Sequence, residues 1–221
     1  MRVIPIMLKK DADSIHGGMT QTTKMPCKSY SLPTVACVTG FKMSKIAGSI
    51  CSVCYANKGN YHMYQNNIEP AQHARLESIE SAFWVDAMVI SIGKDSHFRW
   101  HDSGDIQNLS HFEKICQVAE LTPDCQHWIP TREYAIIKAY IAKHKALPLN
   151  LIVRLSAMYP DKPVIVPASL QGIAGITVSN VHSHGAQALG KACIAPSQKG
   201  ECRDCRQCWN RDIPAISYSI H

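Results

Sequence analysis

The 221-residue chain is 46% hydrophobic and 18% charged with a formal charge of +6, a balance that lets it bury a sizeable core. No stretch approaches the roughly 20 apolar residues of a membrane-spanning helix, and MRVIPIML meets Lys9 and Lys10 too soon to act as a secretory segment. These features predict a cytoplasmic protein with no membrane partner. Its charge is lopsided: Arg2, Lys9, Lys10, Lys24, Lys28, Lys42, Lys45 and Lys58 oppose only Asp11 and Asp13 within residues 1–60, which accounts for the whole formal excess. Such a quarter suits a phosphate or another anion, or simply a solvated surface.

Val3–Met7 reads as a short strand. The chain to residue 60 is then irregular, punctuated by Gly17, Gly18, Pro26, Pro33, Gly40, Gly48 and Gly59. EPAQHARLESIESAFWVDAMVISIG, opened by Pro70 as a first-turn residue and closed at Gly93, predicts one long, largely buried helix. HFRWH (His97–His101) is a strand. Ser110 and Glu113 form a capping box for a helix that stops before Thr122-Pro123. QHWIP reads as a strand, Glu133–His144 as a helix and Leu149–Ser156 as a strand, while VIVPAS and GITVSNV add two more. After Asn180 the pattern gives way to a His-, Gly- and Cys-rich tail with IPAISYS as a last strand.

Strands alternating with helices predict one α/β domain over residues 1–221, a parallel sheet with crossover helices. An incomplete β/α barrel and an open doubly wound sheet both fit. Its parts are an irregular basic segment (1–60), a β/α core (61–180) and a cysteine-rich irregular tail (181–221). Polar residues gather just past the strands: His101-Asp102-Ser103-Gly104-Asp105, then Thr131-Arg132-Glu133, then Arg154 and Ser156. Sites in parallel α/β folds are built at those carboxyl ends. His101, Asp102, Asp105, Arg132 and Arg154 are therefore candidates to line a small-molecule pocket. His101 or Asp102 can move a proton, and Arg132 and Arg154 can clamp a carboxylate or phosphate through paired hydrogen bonds.

Ten cysteines in a reducing compartment argue for metal ligation over disulfides. Cys51 and Cys54 are separated by two residues, with Cys37 upstream; Cys202, Cys205 and Cys208 follow each other at the same gap, with Cys193 upstream. Such a gap turns two sulfurs onto one metal ion or one face of a cluster. A tetrahedral zinc usually takes two separated pairs, whereas a cubane accepts three ligands from one loop and a fourth from elsewhere, so the terminal trio points to a [4Fe–4S] cluster. Cys116 and Cys125 read as small buried hydrophobes. Cys27 is undecided, and His182 and His184 read as solvated or site-lining.

In order along the chain, CSVCYANKGNY, RWHDSGD, the strand end Trp128-Ile129-Pro130-Thr131-Arg132, Arg154-Leu155-Ser156 and the terminal cysteines resemble the bacteriophage gene product 88 family. That resemblance spans about residues 30–210 and implies a phage origin, hence a host-cell cytoplasm. A weaker resemblance is to radical SAM proteins, whose three cysteines after the first barrel strand hold a [4Fe–4S] cluster that binds S-adenosylmethionine. Cys51 and Cys54 match the last two of those positions; the first would fall at position 47, which is Ala, so Cys37 would substitute from further away.

Three readings follow. In the favoured one Cys37, Cys51 and Cys54 give three ligands and leave one iron open to substrate, S-adenosylmethionine being one candidate, while Cys193, Cys202, Cys205 and Cys208 give a closed site. A single cluster joining both regions fits the spacing equally. In the second, zinc stabilises a nucleic-acid-binding protein: Lys199, Arg203, Arg206 and Arg211 speak for it, and Glu201, Asp204, Asp212 and an aromatic content of 7% against it. In the third, metal only staples the loops of a non-enzymatic phage component.

Overall fold

Alternation along the strands sorts side chains onto two faces of one sheet, and both faces are covered. The computed structural model describes residues 6–220. In chain order the elements are α1 (Lys9–His16), β1 (Thr20–Gln21), β2 (Lys28–Tyr30), α2 (Val38–Ser44), α3 (Gly59–Met63), α4 (Gln65–Ser78), α5 (Trp84–Ile92), β3 (His97–Trp100), α6 (Leu109–Leu121), β4 (Gln126–Thr131), α7 (Tyr134–His144), β5 (Leu151–Ser156), β6 (Ile176–His182), β7 (Lys191–Ala192) and β8 (Ala215–Ser219). The sheet runs β1-β2-β3-β4-β5-β6-β8-β7, parallel throughout except for the antiparallel β1–β2 pair. It is open, with β1 and β7 as its edges, and does not close into a barrel.

From β2 to β6 each new strand is added on the same side of the last. Crossovers between parallel strands are right-handed, so a sheet that grows in one direction throws its helices onto one face. That is where α5, α6 and α7 pack against one another. Phe98 and Trp100 of β3, Ile129 of β4, Leu151, Val153 and Leu155 of β5 and Val178 of β6 fill this core with Trp84, Met88, Phe112 and Ile137 from the helices. The alternate residues point the other way. There Trp128 packs with Met25, Cys27, Trp209, Cys202, Cys208 and Tyr218. The chain beyond β6 thus returns over the second face as a covering layer rather than hanging free as a tail.

Arg154 anchors that layer. It sits on β5 facing the second side, with no exposed surface. Its Nε donates to the carbonyl of Cys208 (3.1 Å), Nη1 to those of Val178 (3.4 Å) and Ile213 (3.1 Å), and Nη2 to those of Gln207 (3.1 Å) and Asn210 (3.0 Å). A guanidinium has five N–H donors and cannot shed its charge, so burial demands this full set of acceptors.

Several sequence expectations need correction. Residues 69–93 form two helices, not one: the chain turns at 79–83, where Lys114 Nζ takes the freed carbonyls of Ile79 and Ser81. Pro70 lies inside α4, which starts earlier, at Gln65. Asn108, not Ser110, caps α6, its side chain accepting the His111 N–H at 2.8 Å; Glu113 instead receives Lys143 and His144. VIVPAS forms no strand, because Pro163 precedes it, Pro167 interrupts it and the Val164 N–H goes to the side chain of Asn180 (2.9 Å). Of the Val3–Met7 strand, residues 3–5 lie outside the described residues, and Ile6 and Met7 pair with no strand of the sheet. The segment 1–60 is less irregular than expected, since it contributes α1, β1, β2 and α2. Cys116 and Cys125 are buried in the helical core as expected. Among the described residues no helix is long and apolar enough to cross a membrane.

Two outcomes test this packing. Arg154→Met leaves several buried carbonyls without donors, and urea unfolding should show a loss of about 3–5 kcal/mol; a loss under about 1 kcal/mol would contradict the anchoring role. His127 is buried in β4, accepting from Trp100 Nε1 (3.2 Å) and bonded to Thr122 Oγ1 (2.8 Å). Burial pulls its pKa down to about 3. The unfolded chain therefore binds a proton below its ordinary value that the native chain refuses, so stability falls with pH from about 6.5 towards 3, by up to about 1.4 kcal/mol per unit for each such histidine. The slope should be shallower in His127→Gln; an unchanged slope would count against it.

Candidate metal centres and the strand-end site

The first cysteine group is built on the loop that leaves β2 and crosses the carboxyl edge of the sheet. Cys37 precedes α2, while Cys51 lies in a short 3-10 turn, Ile50–Val53, that Ser49 closes by accepting the Ser52 N–H. Two strand ends pin this loop. Glu133, just past β4, accepts the Thr39 N–H (2.7 Å) and hydroxyl (2.8 Å), and the Ile50 N–H reaches the Met158 carbonyl beyond β5 (2.9 Å). Gly40 then matters. A Cβ there would stand 3.0 Å from Cys37 Cβ, 3.6 Å from its Sγ and 3.7 Å from Cys51 Sγ, so the two sulfurs share the space that glycine leaves.

Burial pushes the Cys37 and Cys51 thiols up; Asp105 and Cys54 add to this, and Arg132 works against it at both. Asp105 and Arg132 are thus neighbours of this group, as expected of a strand-end site. Asp105 is itself buried and accepts from Thr131 Oγ1 (2.6 Å) and the main-chain N–H groups of Ile106 (2.8 Å) and Arg132 (2.9 Å). Burial nonetheless pushes its carboxyl up to about 6. Arg132 Nε donates to the Ala157 carbonyl at 3.0 Å, which fixes its side chain between two strand ends.

His101 and Asp102 follow β3, and Tyr55, the residue after Cys54, reaches the Asp102 carbonyl. His101 adopts φ 51°, the left-handed region, and its buried ring lies 5.4 Å from that of His111; burial drives its pKa far down. The turn is forced by close packing: a Cβ on Gly104 would come within 2.5 Å of Leu32 Cβ, and Ser103 and Leu32 extend the β2–β3 pairing through a 2.8 Å bond. Asp102 accepts the Tyr61 hydroxyl at 2.6 Å, and its carbonyl accepts from Tyr55.

The second group is collected by the covering layer. Cys193, Cys202, Cys205 and Cys208 line one cavity, together with Ala195, Gln207, Trp209 and Ile216. Each cysteine is held from the main chain or by a strand neighbour: the Cys193 N–H bonds the Ser217 carbonyl (2.8 Å), the Cys202 N–H the Lys24 carbonyl (2.9 Å), the Cys205 N–H the Cys202 carbonyl (2.9 Å), and Cys208 Sγ lies 3.2 Å from Tyr218 Oη. Burial pushes the Cys208 thiol up to about 11 despite Tyr218 and Arg154 beside it. Cys27 packs at the rim of this group.

Of the cysteines expected in two groups, Cys37 and Cys51 meet beside Gly40, and Cys193, Cys202, Cys205 and Cys208 line one cavity. Arg154 belongs with the second group, where all of its donors go to main-chain carbonyls, and not to a strand-end clamp. Sequence reasoning missed Glu133 as the tie to α2, Gly40 as the spacer between sulfurs, and Arg99, Tyr55 and Tyr61 near Asp102. Arg99 carried a signal, a charge within an otherwise apolar-aromatic strand. Among the described residues, no group of three or more His, Cys, Asp or Glu side chains is arranged to hold a metal ion. In the cavity of the second group the donor set is of the kind an iron–sulfur cluster takes, four thiols among apolar walls; in the first group, the thiols have the Asp105 carboxylate nearby.

The chain matches the family model described as Gene product 88 over residues 7–211. No curated protein and no solved structure matches it, so nothing in these comparisons supports the likeness to radical SAM proteins. A match over that much of the chain, with the quoted motifs inside it, makes this protein a member of the phage gene product 88 family.

Proposed function

We propose that this is a phage iron–sulfur protein with two [4Fe–4S] sites, one closed and one open. The observation that carries the reading is the single cavity lined by Cys193, Cys202, Cys205 and Cys208. Four thiols around one apolar hollow are the ligand count of a closed cubane, and free thiols gain nothing from being gathered there. Cys37, Cys51 and Cys54 supply three ligands to the other site, which leaves one iron for an exogenous group. When bound, such a cluster supplies one-electron chemistry. Around it Arg132 holds positive charge beside Cys51, and Asp105, with its raised carboxyl pKa, can carry a proton near neutral pH. This arrangement supports a redox enzyme of the radical-SAM-like kind, and S-adenosylmethionine is the ligand to try on the open site.

Anaerobic purification with iron, sulfide and zinc analysis tests the proposal. About eight iron and eight sulfide per chain, with broad absorbance near ~400 nm, is expected. Stoichiometric zinc in a colourless protein would overturn it in favour of a zinc-stabilised protein. The open site has its own test. Gly40→Val wedges a side chain between Cys37 and Cys51, and should lower iron to about four per chain with little change in Tm. Full iron content in that variant would contradict the placement of those sulfurs on one cluster.

A further inference from the structure

Near the end of β3, Arg99 Nε, Trp128 Nε1 on the neighbouring strand and Asp102 Oδ1 are buried polar atoms without hydrogen-bond partners; those of His101 and His111 lie apart from them, against Trp100 and Trp84 on the helical side. Such groups are costly unless something fills them. Arg99 faces the covering layer with its guanidinium 4.8 Å from the centre of the Trp128 ring, and Nη2 donates to Tyr55 Oη at 3.3 Å. No carboxylate pairs with it among the described residues. Asp102 is 2% exposed, and only its Oδ2 is engaged, by Tyr61. Tyr55 bonds both Arg99 and the Asp102 carbonyl, so the two opposite charges are neighbours that are held from neutralising each other directly. This is unlike Arg154, whose donors are all taken, and Arg132, whose Nε is spent on Ala157.

We propose that Arg99 and Asp102 form a recognition site for a small oxyanion, a carboxylate or a phosphate, that carries a hydroxyl or amino group beside it. The stacked guanidinium takes the anion through Nε and its outer edge, and Trp128 Nε1 adds a neutral donor. Asp102 Oδ1 accepts from the neighbouring hydroxyl or amino group. The site stands on the protein's own side chains, and it rests on the iron–sulfur reading only in being the substrate site of that enzyme.

Isothermal calorimetry on the full chain as purified, with D-glycerate, glycerol 3-phosphate, acetate, inorganic phosphate and glycerol as probes, tests it. D-Glycerate or glycerol 3-phosphate should bind saturably, and which of the two does so distinguishes a carboxylate from a phosphate ligand. Acetate and inorganic phosphate, which offer Asp102 no such neighbouring group, should bind about tenfold more weakly, and glycerol not at all. Arg99→Lys, which keeps the charge and loses the fork, and Asp102→Asn should each weaken binding at least about tenfold with Tm unchanged. No saturable binding of either hydroxylated anion, or equal affinity in wild type and both variants, would overturn the proposal. Because no probe touches a cluster, loss of iron leaves this result standing, and failure here leaves the metal analysis standing.

Discussion

A guanidinium buried in the second face of a parallel sheet has to be satisfied, and much of this molecule follows from how that is done. Arg154 finds its acceptors in the main chain of residues 207–213 and in Val178. Those bonds clamp the chain after β6 onto the sheet, bury Trp209 against Trp128, and bring Cys208 up against Tyr218. The other three thiols of the cavity are held by main-chain bonds to Ser217 of β8, to Lys24 and to Cys202. The helical face relies mainly on its apolar side chains, with Asn150 tying the end of α6 through bonds to the Ala119, Thr122 and Cys125 carbonyls. The cysteine-bearing face owes its order to a charge paired with carbonyls.

The two thiol groups differ because their supports differ. The C-terminal four are enclosed by a layer that also supplies their apolar walls. The Cys37, Cys51 and Cys54 loop is tied at single points, by Glu133 to α2 and by Met158 to Ile50, and lies over the strand ends where Asp105 and Arg132 emerge. A site with one side on the polar edge of an open sheet can admit a small molecule, whereas the enclosed one is suited to hold a cluster. Arg99 belongs to the ground between them: Tyr55 is on one side of it, and it lies near enough to Cys202 and Cys208 to offset part of the upward push that burial gives their thiols.

β3, β4 and β5 were legible because helical stretches separate them, and β6 and β8 because they are short apolar runs set between turn residues. The helix break at 79–83 was not, because it depends on Lys114 from another element taking the freed carbonyls. β1, β2 and β7 are two or three residues long, too short to carry a periodic signal, and exist through pairing alone. Cysteine spacing marks Cys51 with Cys54, and Cys202 with Cys205 and Cys208, as local sets, but spacing says nothing about how distant loops meet, so the cavity that the trio shares with Cys193 is a property of the fold. Arg154 was visible as a strand-end charge. Its inward direction, set by register between Ile152 and Ser156 on the second face, was not.

The central proposal is that the two thiol groups are separate metal sites. Mössbauer spectroscopy of iron-57-loaded Cys54→Ser and Cys205→Ser proteins tests it most directly. Independent sites predict that each variant loses about half of the cluster iron, with the surviving spectrum different in the two and their sum matching the wild type. Loss of all cluster iron from either single variant would mean one cluster bridging both regions, and would contradict the division proposed above.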